Sequence, residues 1–166
     1  MKEIKTFAKK YDTWFLSNMY PATIEYDGLI YQTAEACFQA QKFKPEERVA
    51  FTNLDVSNNP KFNALGVKAK RLGGKGGIRE LTPQELKEWD KVKPSVMEEI
   101  VRQKFLQNPE LKEKLLATGN CKIYEGRAGF KADTYWGVLL KKNEVVKGDN
   151  HLGIILMKVR EELKGD

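Results

Sequence analysis

Two adjoining stretches decide the fold class: Thr23-Ile24-Glu25-Tyr26-Asp27-Gly28-Leu29-Ile30-Tyr31, and Thr33-Ala34-Glu35-Ala36-Cys37-Phe38-Gln39-Ala40-Gln41-Lys42-Phe43. Asp27-Gly28 supplies the positive φ values of a tight primed turn, so 23–31 reads as a β-hairpin. Thr33 then offers its hydroxyl as the N-cap of a helix through about Phe43. Downstream, Pro45 can open a second helix in its first turn, and Pro60 to Leu72 reads as another, stopped by Gly73-Gly74-Lys75-Gly76-Gly77. Thr82-Pro83-Gln84-Glu85 is a capping box with proline at the first helical position, giving a helix through Trp89. A further helix is expected after Pro94, with Met97, Ile100, Val101 and Phe105 on one face. Asn108-Pro109 starts a short helix ending at Gly119, Cys121–Glu125 and Tyr135–Lys141 read as strands around a polar loop, and an amphipathic helix closes the chain from Asn150. The sum is a helix-rich α+β single domain over 1–166, with a short N-terminal hairpin and small strands.

Composition narrows the chemistry. The 166 residues are one domain's worth of chain, with 29 Lys+Arg against 23 Asp+Glu and a formal charge of +6. No apolar run approaches the ~20 residues of a membrane span, and no apolar signal segment follows the basic start, so a soluble, cytoplasmic protein is expected. A single histidine, His151, and two cysteines, Cys37 and Cys121, make a zinc site improbable and read as reduced, buried thiols. None of the three serines lies in a Gly-x-Ser-x-Gly elbow, so a Ser-His-Asp triad is not expected. Catalysis, if present, falls to carboxylates, lysines and amides. Lys61, Lys68, Lys70, Arg71, Lys75 and Arg79 form the one basic stretch free of acids; it reads either as a solvated helix and loop or as a phosphate-contacting surface.

Three places break the pattern of apolar residues inward and charges outward. Glu35, Gln39 and Lys42 recur at i, i+4 and i+7, lining a carboxylate, an amide and an ammonium along a helix otherwise small and apolar. That line is either a solvent-facing stripe or a buried polar one. Lys104 falls among Ile100, Val101 and Phe105, where a lysine must snorkel or meet a carboxylate. Asp133-Thr134-Tyr135-Trp136-Gly137 sets an acid before two aromatics that serve as core or as a stacking wall for a base.

Six strings in register carry a resemblance: Phe15-Leu16-Ser17-Asn18-Met19-Tyr20-Pro21; Asp27-Gly28 with Tyr31 and Glu35; Phe38-Gln39-Ala40-Gln41-Lys42-Phe43; Lys104-Phe105; Tyr135-Trp136-Gly137; and Asn150 with Leu152-Gly153 and Leu156-Met157. Together, from about Tyr11 to Leu163, the chain resembles the NADAR (YbiA-like) N-glycosidase family. The resemblance implies a YbiA-like α+β fold, no redox cofactor, and hydrolysis of a bond between a ribose and a base-like nitrogen. It implies as substrate either a ribosylamino-pyrimidine phosphate of early riboflavin synthesis or ADP-ribose on guanine of nucleic acid. A non-catalytic module binding ADP-ribose or nucleic acid is the competing reading.

Carried over by position, the family's acids fall on Glu35 and Asp133 and its tryptophan on Trp89, with Lys42 in the Gln-Ala-x-Lys string. A breaking C–N bond gives C1′ oxocarbenium character, which a carboxylate stabilises while a base deprotonates the attacking water. Glu35 is the expected principal carboxylate and Asp133 its water-orienting or sugar-binding partner, or the reverse. Lys42 holds a phosphate, tunes Glu35, or forms an imine with opened ribose, the last needing a lowered lysine pKa. Catalytic residues are thus expected at Glu35, Asp133, Lys42 and Trp89. Substrate contacts are expected from Phe15, Ser17, Asn18, Gln39, Lys68, Arg71, Lys104, Trp136, Gly137 and Asn150. One departure stands out: relatives commonly follow the helix-start Glu with His, where this chain has Ala36.

Overall fold

A computed structural model describes residues 2–8, 10–57 and 64–165. In chain order the elements are β1 (Glu3–Ile4), a 3₁₀ helix (Asp12–Leu16), β2 (Pro21–Tyr26), β3 (Leu29–Thr33), α1 (Ala34–Ala40), a second 3₁₀ helix (Pro45–Phe51), α2 (Ala64–Leu72) and α3 (Pro83–Gln107). Then follow α4 (Pro109–Ala117), β4 (Lys122–Ile123), β5 (Gly126–Ala128), β6 (Val138–Lys141), β7 (Glu144–Lys147) and α5 (His151–Leu163). The architecture is mixed α+β. Two units divide the chain, one of residues 18–108 and one of residues 1–17 with 109–166.

In the first unit β2 and β3 pair antiparallel, and their turn takes positive φ at both Asp27 (50°) and Gly28 (81°), as the Asp-Gly signal requires. Thr33 Oγ1 accepts the Ala36 amide at 3.0 Å and caps α1, which is buried along its whole length and packs against the hairpin, α2 and α3. α1 ends at Ala40 rather than near Phe43. There the Gln41, Lys42 and Phe43 amides turn back to carbonyls three residues earlier, tightening the chain into 3₁₀ geometry ahead of Pro45. The helix expected from Pro60 is described from Ala64; Pro60 and Lys61 lie outside the described residues.

Two expected helices are one. α3 runs from Pro83 through Pro94 to Gln107, opened by the Thr82–Glu85 capping box. Proline deletes one N–H and crowds the preceding turn. Here the Ser95 hydroxyl bonds the Val92 carbonyl at 2.8 Å within that turn, and burial of Met97, Ile100, Val101 and Phe105 holds the far half in place.

In the second unit β1 pairs parallel with β4, and β5-β6-β7 form a sheet, parallel across β5·β6 and antiparallel across β6·β7. The β6–β7 turn places Lys142 and Asn143 at φ 48° and 62°. α5 packs on α4 and β4 through Leu152, Leu156 and Val159. The strand expected from Tyr135 begins at Val138, because Asp133 Oδ1 takes the Tyr135 and Trp136 amides (2.9 and 2.8 Å) and its carbonyl takes that of Gly137 (3.1 Å), winding 133–137 into a turn. Among the described residues no helix is long and apolar enough to cross a membrane.

Candidate functional site

The polar line on α1 is buried, not solvent-facing. Glu35 is 8% and Gln39 5% exposed, on a helix whose other positions are alanine, cysteine and phenylalanine. The Gln39 Nε2 donates to Glu35 Oε1 at 2.8 Å, and the Glu35 amide donates to the Asn18 carbonyl at 3.0 Å. The carboxylate is therefore aimed by its own helix and by the segment before β2. With Nε2 committed to Glu35, Gln39 Oε1 is a buried acceptor with no hydrogen-bond partner among the described residues. It lies against Gly73, where an added Cβ would stand 2.2 Å from it.

Lys42 stands past the end of α1, its Nζ 3.5 Å from the Gly73 carbonyl. Burial pulls its pKa below the ordinary lysine range; Glu35 opposes that shift, while Lys70 and Lys93 add to it. A carboxylate, an amide and cations from α1, α2 and α3 thus meet beside the glycine loop. The sequence reading did not name Lys93 or Gly73 as site residues.

Other expected residues have different surroundings. Trp89 is buried and packs on Phe38 of α1 with ring centroids 5.0 Å apart. Asn18 is buried, its amide 3.3 Å from Met97 Sδ. Lys104, expected as a substrate contact, is 1% exposed and enclosed near the rings of Tyr20 and Phe105, and burial pushes its pKa down to about 7. Lys68 and Arg71 line a cleft of about 410 Å³ with Asp55, Ser57 and Val67, and the Lys68 ammonium donates to the Asp55 carbonyl. A larger cleft beside the hairpin turn is lined by Glu25, Asp27 and Glu99 and suits no phosphate.

The remaining expected residues belong to the second unit. Phe15 is buried there, with the Lys114 ammonium 5.8 Å from its ring, and the Ser17 amide closes the first 3₁₀ helix on Trp14 at 2.8 Å. Asp133 is exposed, with Oδ1 engaged in its turn. Trp136 is half-buried in an aromatic group with Tyr135, edge-on at 4.8 Å, and His151 at 6.2 Å. Gly137 is enclosed; a Cβ there would meet the Glu125 carbonyl at 2.1 Å. Asn150 takes a left-handed φ of 54° and makes no side-chain cap; its amide instead accepts from Glu125 N (3.0 Å) and donates to Ile123 O (2.9 Å). Gly153 lies beneath that amide, where a Cβ would come within 2.4 Å of it, which explains the Asn-x-Leu-Gly spacing. Among the described residues no group of three or more His, Cys, Asp or Glu side chains is arranged to hold a metal.

Comparison with known proteins gives this geometry its context. The chain is 34% identical over 149 residues to the N-glycosidase YbiA of Escherichia coli, covering 89% of this chain and 79% of YbiA. It is 35% identical over 150 residues to a riboflavin biosynthesis protein of Vibrio vulnificus, covering 90% of this chain but only 35% of that longer protein. The NMR structure of E. coli YbiA superposes with a TM-score of 0.73 at 30% identity, covering 99% of this chain and 87% of that one. The NADAR domain model matches residues 3–164. With likeness running through both units and both kinds of comparison, the chain belongs to the NADAR domain family of N-glycosidases.

Proposed function

We propose that this chain hydrolyses the bond between C1′ of a phosphorylated ribose and a base-like nitrogen, with Glu35 as the principal catalytic carboxylate. The observation that carries this reading is the buried Glu35–Gln39 pair beside a partly buried lysine of lowered pKa. A carboxylate taken out of water stabilises developing positive charge far better than a solvated one. As the C–N bond breaks, its electron pair leaves with the nitrogen and C1′ becomes oxocarbenium-like. Water adds there, its proton passes to a base, and the departing nitrogen takes up a proton, so that ribose and free amine are released. Gln39 fixes the carboxylate, and Lys42 with Lys70 and Lys93 gives positive potential for a substrate phosphate. Lys68 and Arg71 are further phosphate contacts. Asp133 is proposed to orient water or a sugar hydroxyl; Asp133→Asn retains the Oδ1 acceptor that holds its turn and so tests that role.

The name of the Vibrio relative supports a ribosylamino-pyrimidine phosphate as substrate; the second form is ADP-ribosylated guanine in nucleic acid. The test incubates the protein with each, without metal, and measures released sugar. Glu35→Gln, which keeps the shape and removes the charge, is expected to fold and to lose at least ~100-fold in turnover. Unchanged turnover in that variant overturns the role of Glu35, and saturable binding with no release from either substrate replaces the hydrolase with a binding module.

A further inference from the structure

Among the described residues the acid-free basic stretch is partly engaged, with Lys70 and Arg71 exposed and outside any ion pair. In the acid-free stretch, Lys75 pairs with Glu80 at 3.9 Å, and Arg79 clamps Glu47 and Glu85 at 2.6 and 2.8 Å. Lys68 is tied to a backbone carbonyl.

Around the β5-β6-β7 sheet a second group of exposed cations lies outside any ion pair. The chain from Gly126 to Lys147 mixes acids and bases, but strand alternation sorts them. Val138 and Leu140 are buried, so Leu139 and Lys141 point away from the core. Register then puts Arg127, Leu139 and Lys147 in one row across the three strands, with Lys141 opposite Glu144 beside it. The row spans about 10 Å, two strand spacings. Glu144 is partly neutralised by Lys5 at 3.6 Å. Among the described residues Arg127, Lys131, Lys141 and Lys147 make no ion pair and are exposed. Two residues beyond β5, next to Lys131, Phe130 is 96% exposed, the most exposed large apolar side chain described.

We infer that this outer sheet face and the Phe130 loop form a docking surface for single-stranded nucleic acid. Unpaired cations follow a phosphate backbone, and an exposed ring offers its face to an unpaired base, the two parts from which sequence-tolerant strand binding is built. Duplex DNA, whose bases are already stacked, gives Phe130 nothing to pair with. The surface is built from none of the residues assigned to bond cleavage, so it is tested independently of the hydrolase reading.

The test is fluorescence anisotropy of a labelled oligothymidylate of about 20 nucleotides, titrated with the full chain between about 50 and 200 mM salt. Wild type is expected to bind with a steep salt dependence, and to bind the corresponding duplex more weakly. Phe130→Ala, a change at a fully exposed position, is expected to weaken strand binding by about 5-fold or more with an unaltered salt slope, because only stacking is removed. The combined variant Arg127→Glu, Lys141→Glu, Lys147→Glu is expected to bind at least ~10-fold more weakly and to flatten the slope of log K against log salt by about 2. Turnover of a ribosylamino-pyrimidine phosphate by both variants should match wild type, which separates loss of docking from loss of the hydrolase site. No strand binding by wild type at the lowest salt, an unchanged affinity in Phe130→Ala, or an unchanged slope in the charge variant overturns the proposal.

Discussion

Gln39 holds two neighbours apart and together: it gives its amide nitrogen to Glu35 and presses its oxygen toward Gly73. Gly73→Ala therefore tests the site without touching a charged group. The new methyl would fall 2.2 Å from Gln39 Oε1 and 3.0 Å from its Cβ, so the amide must swing out and release Glu35. The expected result is a drop in turnover of ~10-fold or more, with a stability loss of only about 1–3 kcal/mol by thermal unfolding. Equal turnover would show that Glu35 needs no holding. Lys104 makes a pH prediction at the same scale. Its folded pKa of about 7 lies below the ordinary lysine value of 10.5, so between those values the unfolded chain binds more protons than the native one. Stability supplied at this position therefore rises with pH from about 7 toward 10.5, by at most about 1.4 kcal/mol per pH unit. Urea unfolding of wild type and Lys104→Met at pH 7, 8 and 9 should show wild type gaining on the variant as pH rises. A constant difference would mean that Lys104 keeps its proton throughout.

Among the elements, the hairpin and the capping of α1 and α3 were legible in the sequence, because Asp27-Gly28, Thr33 and Thr82-Pro83-Gln84-Glu85 act on their own neighbours. The unity of α3 was not. Pro94 is a local stop signal, and what overrides it is burial of Met97 to Phe105 against partners distant in sequence. It follows that Pro94 strains a helix held by its packing: Pro94→Ala should raise stability by up to about 3 kcal/mol, read as a higher melting temperature. A lower melting temperature would show that the break at Pro94 is built into the packing. The same contrast runs through the site. Glu35, Gln39 and Lys42 could be read from one helix's spacing, whereas Lys93 and Gly73 join them only through the fold. The β5-β6-β7 face escaped notice because its sorting of charge depends on register, which a linear count of acids and bases averages away.

For the whole molecule, two units mean two sets of stabilising contacts, and Asn150 braces only one of them. Its buried amide holds Ile123 O and Glu125 N, and its backbone sits at a left-handed φ. Asn150→Ala leaves both backbone groups unpaired, at a cost of about 1–3 kcal/mol each. Amide hydrogen exchange is the measurement: protection should fall across β4, β6 and α5 while α1 and α3 in the other unit keep theirs. Uniform loss through both units would show that they unfold as one. The β1·β4 pair adds a dimension in time. Glu3 and Ile4 find their partners only at Lys122 and Ile123. At about 5–20 residues per second a ribosome reaches those partners on the order of 10 s after it has passed Ile4. The segment from Asn18 to Asn108 is complete before then and can fold first, while the opening strand waits with its edge unpaired. Until synthesis passes Ile123, the backbone groups of Glu3 and Ile4 are without the strand partner they have in the folded chain.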